Sequence, residues 1–362
     1  MATNKLDAVI GQQRPRYILQ RALENERVPH AYLFYGPMGV GKEALALEFT
    51  KALFCQSQEE RPCQTCSSCR QVSTLSNPDL IYFFPSPKDL KVEDERAVLQ
   101  SIAENPYARE KPWSNPTLGI DRIRYLRKAC TIKSVGKYRM IIIAEAEKMT
   151  AAASNALLKI LEEPPENTFI ILTTDKLNML LSTILSRCQI IQFGLIADAE
   201  IEKRLIEKYQ VDAERARLLS RLSQGSYSRA LEWLDDEFEE KRQVAITLLR
   251  AFVKDFQTRI DMAEEITKKY DKKAMKEIFS LILIWFRDAF LLYQGGVQSQ
   301  QLINVDREDI LHRFVHAFET IDFDRAFTSI EHYTQLIDRN VHQALLLVCF
   351  LIRLETVLEM KR

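Results

Sequence analysis

No charge of either sign predominates in this sequence: 50 lysines and arginines balance 50 aspartates and glutamates. The chain therefore projects no overall positive field toward nucleic acid or a membrane surface, and any DNA contact has to be local or shared with other chains. Long apolar runs are also missing. No stretch reaches the roughly eighteen uncharged apolar residues needed to span a bilayer, and the N-terminal MATNKLDAVIGQQ lacks an apolar leader segment, so the expectation is a cytoplasmic protein without membrane contact. The five histidines are dispersed and no Ser-His-Asp set emerges. Internal repeats and low-complexity tracts are absent too. What remains is an ordinary globular composition, 46% hydrophobic over 362 residues, with material for two or three cored domains.

Five short apolar runs, AYLFY (31–35), DLIYFF (79–84), RMIIIA (139–144), TFIILT (168–173) and QIIQF (189–193), are separated by longer helical patterns. Continuous rather than alternating apolar character predicts strands buried on both faces, hence a parallel sheet covered by helices. After Phe193 the strand signals stop. Residues 195–238 read as a small helical unit with a turn at Gln224-Gly225-Ser226. From 239 onward, runs such as IFSLILIWFRDAFLLY repeat apolar residues at helical spacing, and 295–309 reads as an interhelical loop.

The first strand runs straight into Gly36-Pro37-Met38-Gly39-Val40-Gly41-Lys42-Glu43 and then into a helical pattern. That order is a phosphate cradle: glycines let backbone N–H groups approach phosphates, the helix start adds positive potential, and Lys42 reaches the terminal phosphates. One position departs from it. A serine or threonine hydroxyl normally follows the lysine to bind magnesium, and here Glu43 stands instead, either as a favourable first-turn carboxylate or as an unusual metal group. An acidic pair is then required at the end of a second strand, but RMIII is followed by Ala144-Glu145. With two metal-handling groups missing from one site, Glu145 could still orient a water, and the chain's own ATP hydrolysis should be weak or absent. Binding of ATP and magnesium at this site is accordingly in doubt.

Cysteine is concentrated. Cys55, Cys63, Cys66 and Cys69 fall within fifteen residues, and four thiolates so close can complete a tetrahedron around Zn²⁺. A full shell leaves no place for a reacting water, so the metal is expected to be structural. Cys130, Cys188 and Cys349 are scattered and read as small buried residues.

PHAYLFYGPMGVGK, the four-cysteine module, GIDRIRYL (119–126), NALLKILEEPPENTFIILTT (155–174) and ILSRC (184–188) together resemble bacterial DNA polymerase III clamp-loader subunits. The resemblance runs from VIGQ at 9–12 to about residue 235. It implies an α/β AAA+ fold: a RecA-like P-loop domain with the inserted zinc module (1–194), a helical lid (195–238) and an all-α collar (239–362) through which subunits form a ring that loads the sliding clamp on primed DNA. Partners would be the gamma/tau and delta subunits. Within the family, the Glu43 and Ala144 departures resemble the non-hydrolysing delta-prime type. The alternative is an active gamma/tau-type ATPase. In the lid, Ser228 takes the place of a nucleotide-sensing arginine, beside Arg229.

The same resemblance makes Arg187, in Ser186-Arg187-Cys188, an arginine supplied in trans to a neighbour's γ-phosphate, where it would stabilise charge developing in phosphoryl transfer. It puts Thr173 and Thr174 where the family places its first nucleotide sensor. Glu162-Glu163, by contrast, reads as a helix stop before Pro164-Pro165, and adjacent helical carboxylates do not face one another. Segment 85–118 carries no motif beyond a charged surface helix and loop.

Overall fold

The computed structural model describes residues 3–107, 113, 115–235, 237–251, 254–295, 301–337, 339 and 341–360. The chain divides into two compact units, Met1–Glu232 and Trp233–Arg362.

The first unit is built on a parallel sheet of β2 (Ala31–Tyr35), β4 (Leu80–Phe83), β5 (Arg139–Ile143), β6 (Thr168–Thr174) and β7 (Gln189–Gln192), in the order β4-β5-β6-β2-β7. All five expected apolar runs are strands. Those in the middle of the sheet are apolar throughout because both faces are covered: Leu33, Ile141, Ile143, Ile170 and Leu172 are all fully buried. The decisive feature is the order. β2 lies between two strands that come more than 130 residues later, with Tyr35 in register with Thr174 on one side and Gln192 on the other. The loop leaving β2 therefore opens at a point where chain connections diverge, the usual place for a ligand in such sheets.

Helices α1 (Gln13–Glu24), α2 (Lys42–Phe54), α3 (Ser67–Ser73), α4 (Val92–Glu104), α5 (Ile120–Thr131), α6 (Ala151–Glu162) and α7 (Ser182–Leu185) accompany the sheet. α2 is buried from Ala44 through Thr50, as its nearly unbroken apolar sequence requires. α6 begins at a Thr150 cap whose hydroxyl accepts from the Ala153 amide, and it stops at Glu162, just ahead of the two prolines. A short parallel pairing of β1 (Thr3–Asn4) with β3 (Glu60–Arg61) ties the N-terminal strand to the cysteine module. Helices α8 (Asp198–Tyr209), α9 (Ala213–Leu222) and α10 (Tyr227–Glu232) occupy the segment assigned above to a lid and lie in the same unit as the sheet.

The second unit is helical: α11 (Phe238–Ala251), α12 (Phe256–Lys269), α13 (Lys272–Gln294), α14 (Glu308–Ala317), α15 (Phe323–Ile337) and α16 (Gln343–Glu355). Asp255 and Asp271 cap α12 and α13 by accepting the Thr258 and Ala274 amides. The core is strongly aromatic, with Phe279 and Phe350 rings 4.7 Å apart. A two-stranded antiparallel ladder, β8 (Phe318–Ile321) and β9 (Leu358–Met360), is an addition that helical periodicity did not announce. Fully buried Asp288 on α13 accepts the amides of Ile303 and Asn304 and the Asn304 side chain, which pins to the helix part of the 295–309 connection, of which residues 296–300 lie outside the described residues and Glu308 already begins α14. None of the three scattered cysteines is fully buried as expected: Cys130 and Cys188 are partly buried. Cys349 is exposed, because it falls on the outward face of α16 although its neighbours Val348 and Phe350 are buried.

Candidate nucleotide site and metal centre

At the end of β2 the Gly36 amide donates to the Thr174 carbonyl (3.2 Å), so the cradle starts under the control of β6. Gly39 (φ 79°) and Gly41 (φ 95°) are left-handed, and Gly41 caps α2. These are the conformations for which glycine is needed. Lys42 does not stand free over the loop. Its ammonium donates to the carbonyls of Gly36 (2.7 Å) and Pro37 (2.6 Å).

The charges around that ammonium are negative. Burial is the main influence and lowers the Lys42 pKa, while Glu43, Asp175, Glu147 and Glu145 act in the opposite direction. Glu43 accepts a 2.5 Å hydrogen bond from the Tyr82 hydroxyl on β4. Glu145 takes a left-handed conformation (φ 50°), and its amide donates to the Thr173 hydroxyl. Thr174 donates its hydroxyl to Glu147 (2.7 Å), whose pKa burial raises. The sheet thus gathers Gly36, Gly39, Gly41, Lys42, Glu43, Glu145 and Thr174 at one edge. It adds Glu147 and Asp175, which sequence reasoning had passed over.

The lid segment closes on the same loop. Ser226 donates its hydroxyl to the Met38 carbonyl (3.0 Å), and the Ser228 amide donates to the Gly39 carbonyl (3.2 Å). A Cβ on Gly39 would lie 2.2 Å from the Ser226 hydroxyl oxygen and 2.6 Å from the Ser228 Cβ. Burial lowers the pKa of neighbouring Arg229. Segment 85–118 also contributes here, through Tyr107, whose ring lies against Gly41.

Arg187 belongs to a different place. It follows α7, and its guanidinium pairs with the Glu162 carboxylate at 2.8 Å and donates to the Thr183 carbonyl at 3.0 Å. The side chain remains 34% exposed. Glu162, read from sequence only as part of a helix stop, is thus Arg187's partner. Cys188 beside it is partly buried, and burial pushes its thiol up to about 12.

Cys55 caps the far end of α2, and the remaining three cysteines fold back onto it, bringing the four sulfurs within 4.8 Å of one another. Zinc–sulfur bonds of about 2.3 Å set tetrahedral sulfurs about 3.8 Å apart, so small adjustments complete the shell. The amides of Cys63, Cys66 and Cys69 point at the sulfurs of Cys55, Cys63 and Cys66 respectively, at 3.3 to 3.5 Å. The Cys66 amide leads in lowering the Cys63 thiol to about 6, whereas burial pushes Cys55 and Cys69 up. A bound cation is what would allow all four to ionise together. The donor set therefore fits a metal. The module is fastened to α2, where Gln64 donates to buried Glu48 and Lys51 pairs with the same carboxylate.

The family described as DNA polymerase III, delta subunit, matches residues 11–196, and its C-terminal counterpart matches residues 236–356. The chain belongs to the DNA polymerase III delta-subunit family. Among curated relatives of this delta-family chain, the delta-prime subunit of Bacillus subtilis is 32% identical over 238 residues, covering 66% of this chain and 64% of its own length. The tau subunit of the same organism is 31% identical, covering 64% of this chain and 37% of the relative. The chain therefore spans less than two thirds of either protein. A gamma-subunit-related protein of Thermotoga maritima aligns over 94% of this chain and 99% of its own, at 16% identity and a TM-score of 0.44. Among the described residues no helix is long and apolar enough to cross a membrane.

Proposed function

We propose that this chain is the delta-prime subunit of a DNA polymerase III clamp loader, a largely non-hydrolytic member of a ring with gamma/tau and delta subunits that places the sliding clamp on primed DNA. Its contribution to catalysis is Arg187, offered in trans to a neighbouring ATPase subunit. Residues 1–194 form the AAA+ body, 195–238 the lid and 239–362 the collar.

The observation that carries this reading is the state of Lys42. A catalytic cradle needs its lysine and a metal to neutralise the phosphates. Here the ammonium is engaged by its own loop's carbonyls, the charges acting on it are the carboxylates of Glu43, Asp175, Glu147 and Glu145, and Glu43 stands in the position of the metal-binding hydroxyl. Arg187 differs in character: a planar, permanently charged fork, partly exposed, paired with one surface carboxylate and donating to the Thr183 carbonyl and the Ser186 hydroxyl. The rival reading, an active ATPase recruiting magnesium through Glu43, is disfavoured by the Tyr82 hydrogen bond that engages one oxygen of that carboxylate and draws it toward β4.

Zinc held by Cys55, Cys63, Cys66 and Cys69 would have no open coordination position for water. Its part is to hold the module on the end of α2.

Magnesium-dependent ATP turnover by the purified chain is the direct test. The reading expects none above background, and robust turnover would contradict it.

A further inference from the structure

We infer that Tyr107 is a built-in plug of the nucleotide site: its ring and hydroxyl occupy, from within the chain, the space beside the P-loop that the body of a nucleotide would need. The inference rests on the non-hydrolytic reading and supplies its steric reason.

Three elements converge on this one side chain. A Cβ added to Gly41, at the start of α2, would lie 2.8 Å from the Tyr107 ring and 3.1 Å from its hydroxyl oxygen. The ring is therefore seated directly on the loop at the junction with Lys42. The hydroxyl accepts the backbone N–H of Ile10 at 3.0 Å, which uses a donor otherwise available to a ligand. On a further side the ring meets Tyr227, at the start of the lid helix α10, edge to face, with centroids 4.9 Å apart and planes at 87°. Asn105 fixes the approach by accepting the Tyr107 amide through its side chain.

This combination has the chemistry of a held nucleobase. A flat aromatic surface packs against another ring, and an acceptor at its edge takes a backbone N–H. Burial pushes the phenol up to about 12, so it stays neutral and uncharged at any physiological pH. The serine contacts on Gly39 close the loop independently.

A tethered occupant has an advantage that a free nucleotide lacks. Only the fraction of molecules with the ring displaced can bind, and the apparent affinity falls by that fraction. Tyr107 would therefore suppress binding of ATP, ADP and other nucleoside phosphates alike, independently of the missing magnesium ligands.

Equilibrium binding of a fluorescent ATP analogue to the full chain tests this, with Tyr107→Gly, Tyr107→Phe and the double variant Tyr107→Gly/Lys42→Ala alongside. Tyr107→Gly should bind about tenfold or more tighter than wild type, Tyr107→Phe should stay near wild type, and the double variant should lose the gain. Amide hydrogen exchange of the wild-type chain, with and without millimolar ATP, covers the case in which Tyr107→Gly does not fold. The loop 36–42 should show no added protection. Protection there, or a folded Tyr107→Gly that binds no better than wild type, overturns the plug. ATP binding by wild type without turnover sinks the plug alone, whereas turnover by wild type sinks the non-hydrolytic reading itself.

Discussion

Arg187 and Glu162 form an ion pair at 2.8 Å, joining the turn after α7 to the last residue of α6. Both side chains are substantially exposed, 34% and 48%, so solvent screens the pair and its worth is below about 1 kcal/mol. A contact that weak is easily exchanged for a stronger anion, as an arginine acting in trans requires. Glu162→Ala should therefore shift the denaturant midpoint of the isolated chain by less than about 1 kcal/mol equivalent. A loss several times larger in urea unfolding would make the pair a structural clamp instead.

The four cysteines should carry one metal ion per chain, measured by elemental analysis of a reduced preparation. Thiolates bind the metal and protons compete for them, so the ion should be retained at neutral pH and released on acidification. Cys69→Ser, at a fully buried position, should lose the metal and lower the melting temperature. A reduced preparation without bound metal would count against the site.

Cysteine reactivity should separate the remaining thiols. Cys349 is exposed, while burial holds the Cys188 thiol near 12. The thiolate population of Cys188 at neutral pH is then lower than that of an ordinary cysteine by on the order of a thousandfold. Alkylation of the isolated, metal-loaded chain, mapped by mass spectrometry, should modify Cys349 first. Equal rates at the two positions would contradict the burial of Cys188.

Gly39 and Gly194 offer a matched pair. Gly39 is left-handed, with lid atoms 2.2 and 2.6 Å from where a Cβ would sit, whereas a Cβ on Gly194 meets nothing within 4 Å. Gly39→Ala should cost about 1–3 kcal/mol in chemical denaturation, and Gly194→Ala should be close to neutral.

Much of the fold was readable because it is local. Unbroken apolar runs marked the strands, Pro164 and Pro165 marked the end of α6, and cysteine spacing marked the metal site. The missed relationships are long-range. Tyr82 reaches Glu43, Thr174 reaches Glu147, and Tyr107 reaches Ile10 across 39, 27 and 97 residues of chain, and no local periodicity encodes such pairings. Glu162 was set aside because adjacent carboxylates on a helix do not face each other. That argument holds, but it says nothing of a partner arriving from another element. Cys349 shares the outward face of α16 with Leu345 and Ile352, which are apolar and exposed, so sequence could not distinguish that face from the buried one.

On the proposed reading the chemistry lies at Arg187 and not at Lys42. An assembled clamp loader carrying Arg187→Ala in this chain, compared with wild type and Lys42→Ala, tests it most directly through steady-state ATPase and clamp-loading rates, with assembly checked by gel filtration. An arginine supplied in trans is worth on the order of a thousandfold or more at the site it serves. Arg187→Ala should therefore remove that site's share of turnover and slow loading, while Lys42→Ala leaves both unchanged. An intact loader indifferent to Arg187→Ala, or one disabled by Lys42→Ala, would contradict the account.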